Sequence, residues 1–277
     1  MSSVSQKERP TNERATAVSW SVATVKANFL AYLRFLQSSP AMTSASSAGV
    51  ARWSCAVPHS WLNGVLVSRP PAADERALIA DSLSYFRSAG LTSASWWVDP
   101  SVSTRDWEPH LRRFGFRPEW TTPAMMLDLT TAPLANHASP GLEIREVLDD
   151  QLLREWTCTM VAGFGLPESW QESIAELLRG AGYGGALRHW VGYVRGSPAG
   201  ISSLFVEAGV AALRYLATVP EARGRGVGAA MASHALSAAQ AQGQTTAVLE
   251  SSAAGYELYL KLGFRMVGPL DYYYWER

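Results

Sequence analysis

The stretch that decides the fold is Leu213-Arg214-Tyr215-Leu216-Ala217-Thr218-Val219-Pro220-Glu221-Ala222-Arg223-Gly224-Arg225-Gly226-Val227-Gly228-Ala229. An apolar strand runs into Pro220, a turn follows, and a glycine-rich segment opens an alanine-rich helix. Such a turn has a physical use. Glycines lack the Cβ that would keep a backbone away from a phosphate, and the unpaired N–H groups of a first helical turn point outward. The helix dipole and the charges of Arg223 and Arg225 strengthen the attraction for an anion. An ordinary glycine-rich strand–helix turn would show the same short pattern, so the surroundings decide.

Two other phosphate motifs do not fit. A P-loop needs GxxxxGK followed by Ser or Thr, and this stretch has no lysine. The dinucleotide fingerprint needs a parallel βαβ unit. The preceding strands, expected at 188–195, 199–206 and 210–219, are separated by Gly196-Ser197-Pro198 and Ala208-Gly209, the spacing of an antiparallel meander. A helix is expected at 226–242, a strand at 245–250 and a helix at 253–262, stopped by Gly263.

Here the segment resembles motif A of the GNAT superfamily of acyl-CoA-dependent acetyltransferases, (R/Q)xxGx(G/A), filled by Arg223, Gly226 and Gly228. Downstream, Tyr259-Leu260-Lys261-Leu262-Gly263-Phe264 resembles that family's Tyr-x-x-x-Gly-Phe segment. Meander, cradle and this helix come in family order over residues 142–277. The resemblance implies acetyl-CoA as acyl donor, with its pyrophosphate on the backbone of Gly224, Arg225, Gly226, Val227, Gly228 and Ala229 beside Arg223. It also implies that the pantetheine arm runs along Leu216, Ala217 and Thr218, where many relatives have valine at the last position. Tyr259 would be the acid for the departing thiolate. A phenol with an ordinary pKa of ~10 stays protonated at neutral pH and can donate. Ser252 stands where many relatives carry asparagine, and could equally cap a helix. The proton acceptor is left unassigned among Glu250, Glu207, His189 and His234, each of which has a plain structural reading. No His or carboxylate spacing suggests a metal site.

The first half echoes the second. Leu111-Arg112-Arg113-Phe114-Gly115-Phe116-Arg117 aligns with Tyr259-Leu260-Lys261-Leu262-Gly263-Phe264-Arg265, and Pro71 precedes Gly115 much as Pro220 precedes Gly263. The chemistry does not recur: no (R/Q)xxGx(G/A) follows Pro71, and Leu111 replaces the tyrosine. The expectation is an α/β (α+β) fold of two GNAT-like domains, each a mixed, mostly antiparallel sheet flanked by helices, the first degenerate. The chain divides as a tail at 1–18, the degenerate domain at 19–130, a linker at 131–141 with no periodicity, and the catalytic domain at 142–277. A strand near Met125–Leu129 is expected to close the first domain.

Composition narrows the function class. The 277 residues carry 24 basic and 24 acidic side chains. That balance argues against a nucleic-acid or membrane-surface partner. Cys55 and Cys158 are too few for a disulfide scaffold or a thiolate metal site. No stretch reads as a signal peptide or a membrane span. A cytoplasmic protein, monomeric or homodimeric, is expected, and alanine with arginine in place of lysine suggests a GC-rich bacterial genome. The acceptor would be a primary amine of a small molecule or peptide. A non-catalytic acyl-CoA sensor or partner-binding module on the same fold is the alternative. Phe164–Trp170 is expected to set specificity. The C-terminal aromatics Tyr272, Tyr273, Tyr274 and Trp275 could line a pocket or fill a core.

Overall fold

The computed structural model describes residues 19–47, 49–68, 74–99, 107–119, 122–132, 134, 137 and 139–277. The expected tail at 1–18 and Pro71 lie outside these residues.

Helix α1 (Val22–Leu36) opens the described chain, capped by Ser21, whose side chain accepts from the Thr24 N–H. Its apolar positions Val25, Phe29, Leu33 and Leu36 are buried, as their helical spacing requires. Strands β1 (Met42–Ser47), β2 (Val50–Cys55) and β3 (Gly64–Val67) follow, then helix α2 (Glu75–Ser88) and strand β4 (Ser93–Val98). Helix α3 (Glu108–Arg113) and strands β5 (Arg117–Glu119) and β6 (Pro123–Asp128) complete the first part. The second part comprises β7 (Leu142–Glu146), α4 (Asp150–Phe164), α5 (Gln171–Ala181), β8 (Leu187–Val194), β9 (Ser197–Glu207) and β10 (Val210–Thr218). It ends with α6 (Val227–Ala241), β11 (Thr246–Glu250), α7 (Tyr256–Lys261), β12 (Arg265–Pro269) and β13 (Tyr272–Glu276).

Two mostly antiparallel sheets result, ordered β1-β2-β3-β4-β13-β5 and β12-β6-β11-β10-β9-β8-β7. Apart from the extra edge strand β7, they are the same sheet built twice. In each, an antiparallel run leads to a parallel pair, β3 with β4 or β10 with β11, joined through helix α2 or α6. The repeat reaches single hydrogen bonds. The Phe116 N–H donates to the Leu111 carbonyl and the Phe264 N–H to the Tyr259 carbonyl, both at 3.0 Å. Between them sit Gly115 (φ +87°) and Gly263 (φ +94°), left-handed positions that favour glycine.

One expectation is corrected. Strand β6 does not close the first sheet. It pairs antiparallel with β11 (Val248↔Met126) and with β12 (Arg265↔Met126) in the second sheet. The C-terminal strand β13 fills the matching place in the first sheet, between β4 (Tyr273↔Trp96) and β5 (Tyr273↔Pro118). The halves exchange their last strands, each taking the place one in from the sheet edge, so sheet membership crosses the segment 131–141. The tetra-aromatic tail is therefore core material. Tyr272 stacks on Trp97 with ring centroids 4.5 Å apart, and Trp275 is buried. Strand β1 escapes a hydrophobic reading because Met42-Thr43-Ser44-Ala45-Ser46-Ser47 is polar and, after Met42, exposed at the sheet edge.

Candidate active site

The second sheet opens where the first stays closed. Strands β10 and β11 pair at Val210↔Thr246, Ala211↔Ala247 and Ala212↔Val248, and there the pairing stops. Leu249 and Glu250 continue along β6, while β10 continues along β9. The β10–β9 register shifts between Arg214 and Ala217, and Tyr215 adopts φ +49°. A bulge of this kind bends its strand and re-aims side chains. Leu216, Ala217 and Thr218 lie on the diverging arm.

Beyond the arm, Pro220–Ala222 form a single 3-10 turn, and α6 begins at Val227. Gly224 (φ +71°) and Gly226 (φ +79°) are left-handed, and a Cβ at either would meet nothing within 4 Å. Gly226 is the helix N-cap, makes no side-chain cap, and is followed by no acidic residue in the first turn. The first N–H groups of α6 are thus left to an outside acceptor, and Gly224, Arg225 and Gly226 are exposed. Gly228 faces Thr218: a Cβ there would lie 3.3 Å from Thr218 Oγ1. Val227 is buried, and Ala229 is half-buried. These features fit a pyrophosphate group. Arg223 has an additional role that the motif alone did not reveal. Its guanidinium donates to the carbonyls of Thr218 (3.2 Å) and Gly163 (2.9 Å), bracing the turn against the end of α4. The Ser139 hydroxyl donates to the Arg225 carbonyl, tying the residues just before β7 to the same turn.

A cavity of about 500 Å³ lies at the divergence. Leu216, Ser252 and Tyr259 line it from the second half, together with Phe164, Leu166 and Trp170. The first half supplies Phe29, Tyr32 and Leu33 of α1 and Val57, Trp61 and Leu62 of the β2–β3 connection. Tyr259 is nearly buried, and its ring packs edge-on against Phe264 at 5.9 Å. Gly255 makes room for it, since a Cβ there would sit 2.8 Å from Tyr259 Cε2. Burial, with a smaller contribution from the Glu250 charge, pushes the Tyr259 phenol well above its ordinary range. It remains a proton donor at any physiological pH. Ser252 also caps: its hydroxyl accepts from the Gly255 N–H at 3.2 Å.

Glu250 is not the solvated carboxylate that its sequence position allowed. Its side chain is 3% exposed and forms an ion pair with Arg214, itself 5% exposed. Arg214 also donates to Asn28 of α1 at 3.0 Å, and Asn28 donates to the Val210 carbonyl. The guanidinium lies 5.1 Å from the ring centroids of both Phe29 and Tyr32. Breaking such a buried pair by removing one partner costs about 3–5 kcal/mol. Beside it the Tyr32 and Tyr215 hydroxyls meet at 2.5 Å, a second polar contact between the halves. Sequence reasoning missed Arg214, Asn28, Tyr32 and Tyr215. Only the charge of Arg214 inside an apolar strand signalled them.

The remaining candidates fall to structural roles. Glu207 is exposed at a turn. His189 is buried against Trp156, its Nδ1 2.6 Å from Ser203 Oγ, and desolvation pushes its pKa down to about 3. His234 packs edge-on against Trp190. His59, unremarked in the sequence, lines the cavity, and its Nδ1 accepts the Trp61 N–H at 3.2 Å. Among the described residues no group of three or more His, Cys, Asp or Glu could hold a metal, and no helix is long and apolar enough to cross a membrane.

Residues 185–266 match the family model of the acetyltransferase (GNAT) domain. The chain therefore carries a GNAT domain, and its architecture is that of tandem GNAT proteins. A GCN5-related N-acetyltransferase from Kribbella flavida superposes with a TM-score of 0.64 at 12% identity, covering 95% of this chain and 96% of that one. A tandem GNAT protein from the clavulanic acid biosynthesis pathway gives 0.56 at 14% identity, covering 92% and 96%. A functionally unknown protein from Staphylococcus epidermidis gives 0.60 at 12% identity, covering 85% and 94%. No curated protein matches the sequence. At these identities the likeness is one of fold, and that fold supports acyl-CoA-dependent acetyl transfer in general.

Proposed function

We propose that this protein is an acetyl-CoA-dependent N-acetyltransferase that acetylates a primary amine of a small molecule or peptide by direct attack on the thioester. The observation that carries the proposal is the continuity of the opening. An uncapped, glycine-lined helix start lies at one end, a diverging strand arm in the middle, and a cavity with a buried phenol at the other. Bound acetyl-CoA would supply the activated acyl group. The backbone from Gly224 to Ala229 would hold its pyrophosphate, and the arm Leu216–Thr218 would pair with its amide groups as an added strand does. As the amine nitrogen bonds to the carbonyl carbon and the C–S bond breaks, Tyr259 donates a proton to the departing thiolate and is restored by the proton that the nitrogen releases, a role worth about 10²–10⁴ in rate. Arg223 keeps the cradle turn in place through its two carbonyl contacts.

The catalytic unit in this reading is 142–277 with β6 lent by the first half. The first half holds no acyl-CoA and instead walls the acceptor cavity through α1 and the β2–β3 connection. A cytoplasmic monomer or homodimer remains the expected setting. The test is thiol release from acetyl-CoA across a panel of amines, wild type against Tyr259→Phe. Turnover of at least one amine, lost in the variant, is expected. Tight CoA binding with no turnover of any amine would replace the enzyme by an acyl-CoA sensor.

A further inference from the structure

The cavity has a composition that selects among amines. Its walls are largely apolar and aromatic, with Phe29, Trp61, Phe164 and Trp170 contributing rings from both halves. Trp61 is held in place by donating its indole N–H to the Tyr272 hydroxyl at 2.8 Å, and Phe29 packs edge-on against it at 5.4 Å. This is a preorganised surface rather than a set of loose side chains. Among the described lining residues, the only Lys, Arg, Asp or Glu side chains are Arg214 and Glu250, and they neutralise each other. The pair leaves two buried atoms without a partner, Glu250 Oε1 and Arg214 Nε. His59 adds no cation, since burial depresses its pKa below the ordinary imidazole value.

We infer that the acceptor is a primary amine carried on an apolar or aromatic body that bears no carboxylate or phosphate. The inference deepens the acetyltransferase reading of this cavity and rests on it. An aromatic body gains from burial against the rings, each such pairing being worth about 0.5–1.5 kcal/mol beyond the buried area. A carboxylate on the same molecule finds no surplus cation. Next to Arg214 it would stand against the Glu250 charge, and elsewhere it would be desolvated among rings. Hydrophilic polyamines fail for the converse reason, because their further ammonium groups would be desolvated without anions.

The experiment measures equilibrium binding to the full chain saturated with CoA, by tryptophan fluorescence and calorimetry, with turnover followed in parallel. The probes are 2-phenylethylamine, phenylalanine, spermidine and 2-phenylethanol. The amine is expected to bind at least ~100-fold more tightly than phenylalanine or spermidine, and within ~10-fold of the alcohol, which carries the same apolar body. Phe164→Ser, a change at a half-exposed helix end, should weaken the amine ~3–10-fold. Binding with this ranking but without turnover would sink the acetyltransferase reading and leave the cavity assignment standing. Equal or better binding of phenylalanine or spermidine, binding of none of the probes, or an unchanged affinity in Phe164→Ser would overturn the inference.

Discussion

The two halves share a sheet order, a parallel strand pair bridged by a helix, and a Gly-Phe corner with matching hydrogen bonds, yet only one is open. In the first, β3 and β4 pair along the whole of Gly64–Val67, through Val67↔Val98. Gly64 lets them close, for a Cβ there would lie 2.6 Å from Ser95 Oγ. Trp96 and Trp97 are fully buried beside that seam. In the second, the corresponding pair separates after three residues, helped by the Tyr215 bulge. The helix starts differ in the same sense. Asp74 caps α2 with its own carboxylate, accepting from the Arg76 N–H, and Glu75 follows it. That helix end has its anion built in. The α6 end offers a left-handed glycine and no acid. One fold thus presents a satisfied helix terminus beside a closed strand pair in one half, and an open terminus beside a split pair in the other.

The comparison breaks most severely if the halves are independent. Residues 142–277 alone lack β6 between β11 and β12, and residues 19–130 alone lack β13 between β4 and β5. Expressed separately, each fragment is expected to aggregate or stay unfolded, whereas co-expression yields a 1:1 complex on size exclusion. A monomeric fragment with a cooperative melt would show that the exchanged strands are dispensable.

Next in size is the asymmetry of the helix starts. Gly226→Glu puts a side chain at φ +79°, at a cost of roughly 1–2 kcal/mol, and a carboxylate at the cradle. CoA affinity should fall at least ~100-fold with the fold retained. Asp74→Ala on the other helix should cost ~1 kcal/mol of stability and leave CoA affinity unchanged. Equal effects of the two on CoA binding would erase the distinction.

Tyr259→Phe separates chemistry from packing. The phenol oxygen is lost but the ring against Phe264 remains, so kcat should fall ~10²–10⁴-fold with little change in melting temperature. Because the Tyr259 pKa is raised, wild-type activity should show no loss from phenol ionisation as pH rises through 10. A basic limb near that value, absent from Tyr259→Phe, would contradict the assignment of a buried donor.

The last effect is local to the second sheet. His189 is neutral in the folded state down to about pH 3 but takes up a proton near ~6.5 when unfolded. The unfolded state therefore binds more protons between these values. Stability is lost as pH falls through that window, by up to ~1.4 kcal/mol per pH unit. In denaturant titrations His189→Gln should flatten this part of the profile. An unchanged slope would place the acid sensitivity elsewhere.

Much of this was legible in the sequence because it is local. The meander, the glycine cradle and the Leu111/Tyr259 correspondence are each written within a few dozen consecutive residues. The strand exchange was not, because a sequence attaches each strand to its neighbours in the chain. Ala124-Met125-Met126-Leu127 is equally apolar in either sheet, and only pairing across more than a hundred residues decides. The cavity was half legible. Phe164–Trp170 was anticipated, whereas Tyr32, Trp61 and Leu62 face it from a half with no motif of its own. Glu250 was misjudged because a strand-end carboxylate looks solvated until its partner, Arg214, is seen beneath two aromatic rings.

The most direct test of the asymmetry between the halves is a calorimetric titration of CoA into the intact chain and its Gly226→Glu variant. One CoA per chain is expected, with no detectable heat in the variant. Two CoA per chain, or one that survives Gly226→Glu, would contradict the assignment of acyl-CoA binding to the second half alone.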